Sequence, residues 1–286
     1  GLVQGSVASE HEIALSLERM HRIESIDPVG RTMTVEAGVA VQRIQEEAEK
    51  HGLLYPVDFG ARGSAHIGGS AATNAGGNGV IRYGMTRDSV LGLEAVLADG
   101  TVIPAMNRMI KNNAAYDVKQ LFIGTEGTLG VITRLVLRLR ESPRSTQSAL
   151  VACPTFTDVT RFLKHIDGTL GGSLSAFELM WNEFYRMVTT PPSKGTPPLP
   201  QTYDYYVLVE SAGGDPTRDQ AQFEEAIAAA IEAGLVVDAA VCSSEAQRDA
   251  LWALRDDVEG IFRLGMPVAF DVSLPLAEME GYVTEV

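Results

Sequence analysis

Residues 60–77 read GARGSAHIGGSAATNAGG, a run rich in glycine and other small residues. Glycine has no Cβ, so it accepts positive φ and lets a bare N–H group approach a ligand closely. Consecutive N–H groups in such turns form concavities that bind anions, and a diphosphate fits them well. The alternative is a run of tight turns without a ligand. Two Gly-Gly pairs within ten residues, 68–69 and 76–77, favour a glycine cradle, the name used below for residues 60–77.

Glycine stays frequent downstream of the cradle. Residues 60–130, which are 71 of the 286 residues, hold 13 of the 28 glycines, and a second small-residue turn reads GTEGTLG at 124–130. No G-x-G-x-x-G motif opens a helix after a strand, which disfavours a Rossmann site. No G-x-x-x-x-G-K-[ST] motif is present, which argues against a P-loop nucleotidase.

Alternating apolar and polar residues predict four strands around the cradle, with a helix among them. The predicted strands are residues 31–36, 90–98, 101–103 and 131–140. The helix, residues 41–51, ends at Gly52, and Asp99-Gly100 forms a hairpin turn. In the last strand we expect one apolar and one arginine face. The apolar face carries Val131, Leu135, Leu137 and Leu139, and the other carries Arg134, Arg138 and Arg140.

A polar, proline-containing connector, ESPRSTQ at 141–147, predicts a boundary between two domains, residues 1–142 and 143–286. Strands are expected beyond it at 149–153, 205–210, 236–241 and 268–274. Helices are expected after the Thr155/Asp158 capping box, after Asp215-Pro216, and from the Ser244/Gln247 box through Phe262. These strands and helices, with the proline-rich loop at 191–200, predict an α+β domain on one mostly antiparallel sheet.

Composition excludes several functions. With 37 acidic against 23 basic residues, the net charge of −14 argues against a nucleic-acid surface. No apolar run approaches the roughly 18 residues of a membrane span, and no signal segment opens the sequence, so we expect a cytoplasmic or mitochondrial-matrix location. Cys153 and Cys242 form no C-x-x-C pair and are expected to be small buried hydrophobes. The start at Gly1 and the stop within a helical pattern suggest a piece of a longer protein.

Several stretches resemble the FAD-binding core of the vanillyl-alcohol-oxidase-type, or PCMH-type, flavoproteins. They are PVDFG at 56–60, AHIGGSAATNAGG at 65–77, RYG at 82–84, VLGLEAVLADG at 90–100 and DVKQLFIGTEGTLGVI at 117–132. Within that superfamily the chain is most similar to D-2-hydroxyglutarate and D-lactate dehydrogenases, with glycolate oxidase nearby. Later stretches agree: LSAFEL at 174–179, LWALR at 251–255 and DVSLP at 271–275. The resemblance implies an α+β protein, with a PCMH-type FAD-binding domain of two α/β subdomains followed by an α+β cap domain.

The resemblance assigns FAD contacts to residues in and around the cradle. The isoalloxazine and the diphosphate would be lined by Pro56, Gly60, Ser64, Ile67, Gly68 and Gly69, continued by Thr73, Asn74, Gly76, Gly77 and Gly84. The adenosine end would be held by Glu126, Gly127, Gly130 and Ile132. The residues GLVQG at 1–5 resemble the end of the family's first phosphate loop, with Gln4 where that loop commonly has glycine. His66 either touches the flavin or packs against backbone.

The resemblance also implies a reaction, in which the flavin takes a hydride from the hydroxyl-bearing carbon of a small D-2-hydroxy acid. A bidentate arginine suits the substrate carboxylate best. Arg255 matches the arginine of the LWALR stretch and is the candidate. The alternative is a helical arginine that pairs with Asp256 or Glu259. The 2-hydroxyglutarate branch has a lysine near the position of Ala269, so a dicarboxylate substrate is not specified here.

The family's metal-binding histidines belong to a C-terminal segment that this chain does not contain, so no metal ligands are expected. We predict an FAD-dependent oxidoreductase that converts a D-2-hydroxy acid, such as 2-hydroxyglutarate, lactate or glycolate, to the 2-oxo acid. The alternatives are a flavoprotein reductase with a nicotinamide partner and a non-catalytic nucleotide-binding module. The enzyme would need an electron acceptor, either a quinone, a cytochrome or an electron-transfer flavoprotein, and would form a homodimer.

Overall fold

The computed structural model describes residues 7–265 and 271–286. The chain divides into two compact units. We call Leu15–Pro143 the glycine-rich unit, and Arg144–Val286 together with Gly1–Ala14 the C-terminal unit.

The glycine-rich unit is built on antiparallel strands. They are β1 (Ile23–Asp27), β2 (Thr32–Glu36), β3 (Leu53–Leu54), β4 (Val90–Val96), β5 (Val102–Ala105), β6 (Val131–Arg138) and β7 (Arg140–Glu141). Its helices are α1 (Val41–Glu49), α2 (Ile67–Ala72) and α3 (Val80–Tyr83), with 3₁₀ turns at Thr86–Ser89 and Val118–Leu121. Five strands form one sheet in the order β1-β2-β6-β4-β5, and β3 pairs with β7.

The core of this unit lies between the sheet and helices α1 and α2. Met33 and Val35 of β2 pair with Leu137 and Leu135 of β6, and all four side chains are fully buried. Helix α1 adds Val41, Ile44 and Ala48, which lie on one face of the helix, and α2 adds Ile67. Burial of each large aliphatic side chain contributes roughly 1.5–3 kcal/mol. The cradle is therefore held by the core of the unit, because α2 lies in its middle.

The prediction that Val131 lies on the apolar face of β6 was wrong. Glu94 pairs with Arg134 but the next pair is Ala95 with Ile132, so β6 has one extra residue, Thr133. The bulge reverses the alternation, and Ile132 rather than Val131 enters the core. The hydroxyl of Thr133 donates to Glu94 Oε1 at 2.8 Å, a cross-strand contact that favours the bulge. Beyond the bulge the predicted apolar face is confirmed.

The C-terminal unit also has one antiparallel sheet. Its strands are β8 (Ser145–Cys153), β9 (Leu174–Trp181), β10 (Tyr205–Gly213) and β11 (Asp238–Val241), in the order β11-β8-β10-β9. Its helices are α4 (Phe156–Leu170), α5 (Asn182–Thr189), α6 (Pro216–Glu232), α7 (Glu245–Asp256) and α8 (Met279–Glu285), with 3₁₀ turns at Val258–Leu264 and Leu276–Glu278. The predicted antiparallel α+β architecture is confirmed.

Both faces of this second sheet are covered. Residues that alternate along β8 and β10 divide between two cores, one shared with α4 and α6 and the other with α5 and α7. All three predicted helix N-caps form: Thr155, Asp215 and Ser244 each accept the backbone N–H three residues on. Each cap contributes about 1 kcal/mol.

Two predictions for the end of the chain differ from the structure. Helix α7 ends at Asp256 instead of continuing through Phe262, and a 3₁₀ turn follows. The acidic pair Asp256-Asp257 opposes the negative end of the helix dipole, which disfavours continuation. Of the strand expected at 268–274, residues 271–274 form no strand, and residues 268–270 lie outside the described residues.

Candidate cofactor site

The centre of the cradle packs directly on the segment that follows β2. Ile67 donates its N–H to Val39 O at 2.9 Å, and Gly68 donates to Ala37 O at 2.8 Å. A Cβ on Gly68 would lie 2.6 Å from the Cβ of Ala37. Position 68 is therefore glycine because two backbone segments meet there.

The end of the cradle packs on Asp58, two residues before the cradle begins. A Cβ on Gly77 would lie 2.4 Å from Asp58 O, and the N–H of Asn78 donates to the same oxygen at 2.8 Å. A Cβ on Gly76 would meet Met85 Sδ at 3.0 Å. These two glycines, like Gly68, are explained by close approach within the protein.

Asp58 joins these parts, although it was not among the residues predicted for the site. Its carboxylate accepts two hydrogen bonds from Arg62, at 2.7 and 2.9 Å, and one from Gln45 at 3.1 Å. Gln45 also donates to Val57 O at 3.0 Å. A carboxylate two residues after a proline, directly before a glycine-rich turn, is the one sequence signal that could have indicated this position.

Two cradle glycines face open space. No atom lies within 4 Å of the position that a Cβ would take on Gly60 or Gly69, and both residues are exposed. Among residues 7–265 and 271–286, the N–H groups of Gly60, Gly69, Gly76 and Gly77 find no hydrogen-bond acceptor. Bare amides of this kind are the donors that phosphate oxygens accept. The cradle therefore fits the diphosphate of a dinucleotide.

The polar side chains of the cradle bond to the protein's own backbone. Thr73 Oγ1 donates to Gly69 O at 3.0 Å, and Ser64 Oγ donates to Ala61 O at 3.3 Å. Asn74 has a positive φ of 50°, which asparagine tolerates, and its Oδ1 accepts the N–H of Arg87 at 3.0 Å. These side chains shape the loop.

The second small-residue turn docks on the C-terminal end of α2. Gly124 donates its N–H to Ala71 O at 3.0 Å, and Glu126 donates to Ala72 O at 2.8 Å. Gly124, Glu126 and Gly127 all have positive φ, between 53° and 84°. The structure thus brings together two turns that are about 50 residues apart in sequence.

The remaining predicted cofactor positions lie in or near these two turns in sequence. Gly84 has a φ of 77°, and Gly130 approaches Val96 O so closely that a Cβ would lie 2.9 Å away. Pro56 and Ile132 are buried. The carbonyl of His66 accepts the N–H of Ser70, so its backbone belongs to the loop framework. Residues 1–5 and Ala269 lie outside the described residues.

Arg255 lies in the last turn of α7, in the C-terminal unit. Its Nε and Nη2 both lie 2.8 Å from Glu178 Oε2 on β9, and its Nη1 lies 3.1 Å from Asp256 Oδ1. Burial opposes the charge, but Glu178 and Asp256 outweigh it and raise the pKa of Arg255 above its ordinary value. The expected pairing with Asp256 is present, while the side chain of Glu259 lies outside the described residues.

Among residues 7–265 and 271–286, no three side chains of histidine, cysteine, aspartate or glutamate are grouped so that they could hold a metal ion. No helix in these ranges is long and apolar enough to cross a membrane.

An open backbone cradle on an antiparallel unit, followed by a second antiparallel α+β unit, is the arrangement of a PCMH-type FAD-binding protein. A family model described as "FAD binding domain" matches residues 1–105, and one described as "FAD linked oxidases, C-terminal domain" matches residues 142–286. The chain belongs to the FAD-linked oxidase family, and its cofactor is FAD.

Relatives in this family are similar over the whole chain. The mitochondrial D-2-hydroxyglutarate dehydrogenase of Bos taurus is 39% identical, over 99% of this chain and 52% of that protein. The D-2-hydroxyglutarate dehydrogenase of Xanthomonas citri pv. viticola is 37% identical, over 100% of this chain and 59% of that protein. A Schizosaccharomyces pombe protein, named as a candidate mitochondrial D-lactate dehydrogenase, is 36% identical over 100% of this chain and 54% of that protein. The chain spans about half the length of the curated relatives that it matches.

Solved structures agree on the fold. An alkyldihydroxyacetonephosphate synthase superposes with a TM-score of 0.71 at 16% identity, covering 94% of this chain and 54% of that one. A second crystal form of a synthase with that name gives a TM-score of 0.68 at 18% identity, over 87% of this chain and 46% of that one. At such low identity the likeness shows the fold alone.

Proposed function

We propose that this chain provides the FAD-binding and substrate domains, residues 1–142 and 143–286, of an enzyme that oxidises a small D-2-hydroxy acid to the 2-oxo acid. The observation that carries the proposal is the backbone of the cradle: among the described residues the N–H groups of Gly60, Gly69, Gly76 and Gly77 find no acceptor, and open space lies beside Gly60 and Gly69. When bound, FAD supplies the hydride acceptor. The names of the relatives favour a substrate with a hydroxyl beside a carboxylate.

The cofactor contacts divide into two groups in this proposal. The N–H groups at Gly60, Gly69, Gly76 and Gly77 bind the diphosphate. The other positions form the surrounding wall: Pro56, Ser64, Ile67, Gly68, Thr73, Asn74, Gly84, Glu126, Gly127, Gly130 and Ile132. The adenosine end falls to the turn at 124–130, whose backbone is anchored on α2. Oriented binding of this kind aligns the flavin before the substrate arrives.

Arg255 is proposed as the ligand of the substrate carboxylate. A guanidinium has five N–H donors in a planar fork, and it holds a carboxylate by two parallel hydrogen bonds. The side chain of Arg255 is 32% exposed, which leaves part of the fork accessible. D-2-hydroxyglutarate and D-lactate differ by a second carboxylate, and Ala269 provides no cation for it.

The acceptor of the flavin's electrons is proposed to be a quinone, a cytochrome or an electron-transfer flavoprotein, with the enzyme a homodimer. Mitochondrial relatives favour the matrix in a eukaryote, and the cytoplasm is the location proposed otherwise.

The test is anaerobic reduction of the bound flavin. The purified holoenzyme is mixed with D- and L-2-hydroxyglutarate, D- and L-lactate, glycolate or NADPH, and bleaching of the flavin absorbance is recorded. We expect D-2-hydroxy acids to bleach it and NADPH to leave it oxidised. Bleaching by NADPH alone would instead support a nicotinamide-dependent reductase. If no hydroxy acid reduced the flavin, the substrate assignment would fall while the FAD assignment stood.

A matched pair of variants tests the carboxylate ligand. Arg255→Ala removes the fork and should raise KM for the acid by about 10- to 100-fold, the loss of a charge-assisted hydrogen-bond pair. Arg248→Ala is the control, because Arg248 lies on the same helix and its ion pair among the described residues is with its neighbour Asp249, at 2.9 Å. Equal effects of the two substitutions would remove Arg255 from the site.

A further inference from the structure

Two glutamates hold helix α7 on the sheet of the C-terminal unit. Glu178 of β9 pairs in register with Leu208, and Glu210 of β10 pairs with Ala176. The two glutamates are thus diagonal neighbours on one face of the sheet, the face that α7 covers.

Each glutamate receives one side chain from α7. Glu178 accepts from Arg255, and Glu210 Oε2 accepts the indole N–H of Trp252 at 2.9 Å. Arg255 and Trp252 are three residues apart, so they lie on the same face of the helix. Glu210 is itself fixed by the hydroxyl of Ser148 at 3.0 Å. The rotation of α7, and with it the direction of the Arg255 side chain, is fixed by this carboxylate pair together with the buried side chains of Leu251 and Leu254.

Some N–H donors of the Arg255 guanidinium are left for a ligand. A guanidinium has one N–H on Nε and two on each Nη. Glu178 Oε2 occupies the Nε–H and one N–H of Nη2, and Asp256 occupies one N–H of Nη1. Within the described part of the chain two N–H groups remain, one on each Nη. Two such donors are what a carboxylate needs for a bidentate bond.

We propose that Glu178 is a positioning residue, which holds Arg255 by its Nε edge and so presents the two remaining N–H groups to the substrate carboxylate. This inference rests on the proposed function of Arg255. A positioning role and a purely electrostatic role of Glu178 predict opposite changes in substrate affinity when Glu178 is removed. As a nearby anion, Glu178 repels a bound carboxylate, so its removal would tighten binding if charge alone mattered. As a positioning residue, its removal weakens binding.

The experiment compares Glu178→Ala, Glu178→Gln and the control Glu225→Gln in the FAD-loaded holoenzyme. Glu225 is an exposed residue of α6. KM and kcat for the hydroxy acid that best reduces the wild-type flavin are measured, together with the flavin spectrum. We expect Glu178→Ala to raise KM about tenfold with little change in kcat, since Arg255 loses its two anchoring bonds. Glu178→Gln should lie between this variant and the wild type, because the amide oxygen still accepts from the guanidinium. The control should match the wild type.

Three results would overturn the proposal. A lower KM in both variants at position 178 would show that Glu178 competes with the substrate for the fork. An unchanged KM in both, with Arg255→Ala still impaired, would show that Arg255 needs no support from Glu178. A wild-type flavin that no hydroxy acid reduces would remove the proposed function and this inference with it. If Glu178→Ala fails to fold, the nearly isosteric Glu178→Gln carries the test alone, and the direction of its KM change decides.

Discussion

Substitution of alanine at two adjacent glycines should have opposite effects on stability. Gly68 and Gly69 both lie in α2, and neither has a positive φ. A Cβ on Gly68 would lie 2.6 Å from Ala37 Cβ and 3.0 Å from Ala37 O, whereas a Cβ on Gly69 would meet nothing within 4 Å. We therefore expect Gly68→Ala to destabilise the protein and Gly69→Ala to stabilise it.

The magnitudes follow from packing and helix propensity. Carbon atoms pack best at about 3.5–4 Å, so Gly68→Ala forces the backbone at Ala37 to move by about 1 Å. Overpacking of this kind costs about 1–3 kcal/mol, which exceeds the propensity gain. Gly69→Ala gains about 0.5–1 kcal/mol because alanine loses less backbone entropy in a helix. Each kcal/mol corresponds to roughly 2–4 °C in Tm for a domain of this size class.

The affinity for FAD distinguishes a role of Gly69 in cofactor binding from a role in stability. The Gly69→Ala variant keeps its backbone N–H, but the new methyl group stands beside it and would crowd the phosphate oxygen that we propose this N–H binds. Loss of a hydrogen bond to a charged oxygen costs about 1.5–3 kcal/mol, so FAD should bind about 10- to 100-fold more weakly.

Two measurements check these effects. The free energy of unfolding is measured by urea titration of FAD-stripped protein, and Kd by quenching of flavin fluorescence. Gly214→Ala, also with nothing within 4 Å of its Cβ position, is the control and should leave Kd unchanged. Wild-type affinity in Gly69→Ala would refute the cradle, and wild-type stability in Gly68→Ala would refute the steric account.

Three further predictions concern side chains. Tyr55→Phe should raise the free energy of unfolding by about 1 kcal/mol, because the hydroxyl of Tyr55 is fully buried and, within the described residues, unpartnered. Tyr185→Phe should lower the free energy of unfolding, since the hydroxyl of Tyr185 donates to a backbone carbonyl at 2.9 Å. Urea titrations of the two variants check both effects. Cys153 is buried, which raises the pKa of its thiol to about 12, so in a thiol-labelling time course the half-buried Cys242 should react first and Cys153 only on unfolding. Hydrogen bonds from Arg22 hold the pKa of Glu36 below its ordinary value, so as the pH falls the Glu36 carboxylate is protonated in the unfolded state before it is protonated in the folded state. The free energy of unfolding should therefore decline below about pH 4–5. Glu36→Gln should flatten that decline when unfolding is measured from pH 6 to 3.

Features set by neighbouring residues were predictable. The N-caps at Thr155, Asp215 and Ser244 need only a side chain and a backbone N–H three residues away, so their sequence patterns were sufficient. The apolar stripe of α1 and most of the alternation in β6 were predictable for the same reason. The bulge at Thr133 was not, because it depends on Glu94 from another strand.

The amino-acid sequence was enough to predict a glycine-rich backbone cradle, many of the strands and helices, and the family that the motifs resemble. It could not assign separate tasks to the glycines. Gly68 and Gly77 are glycine because other backbone occupies the space of their side chains, while Gly60 and Gly69 leave that space open. Nor could it pair Arg255 with Glu178, 77 residues earlier in the chain. Only the tertiary structure decided these points, since the space around an atom and its partners across a sheet depend on segments that sequence spacing does not relate.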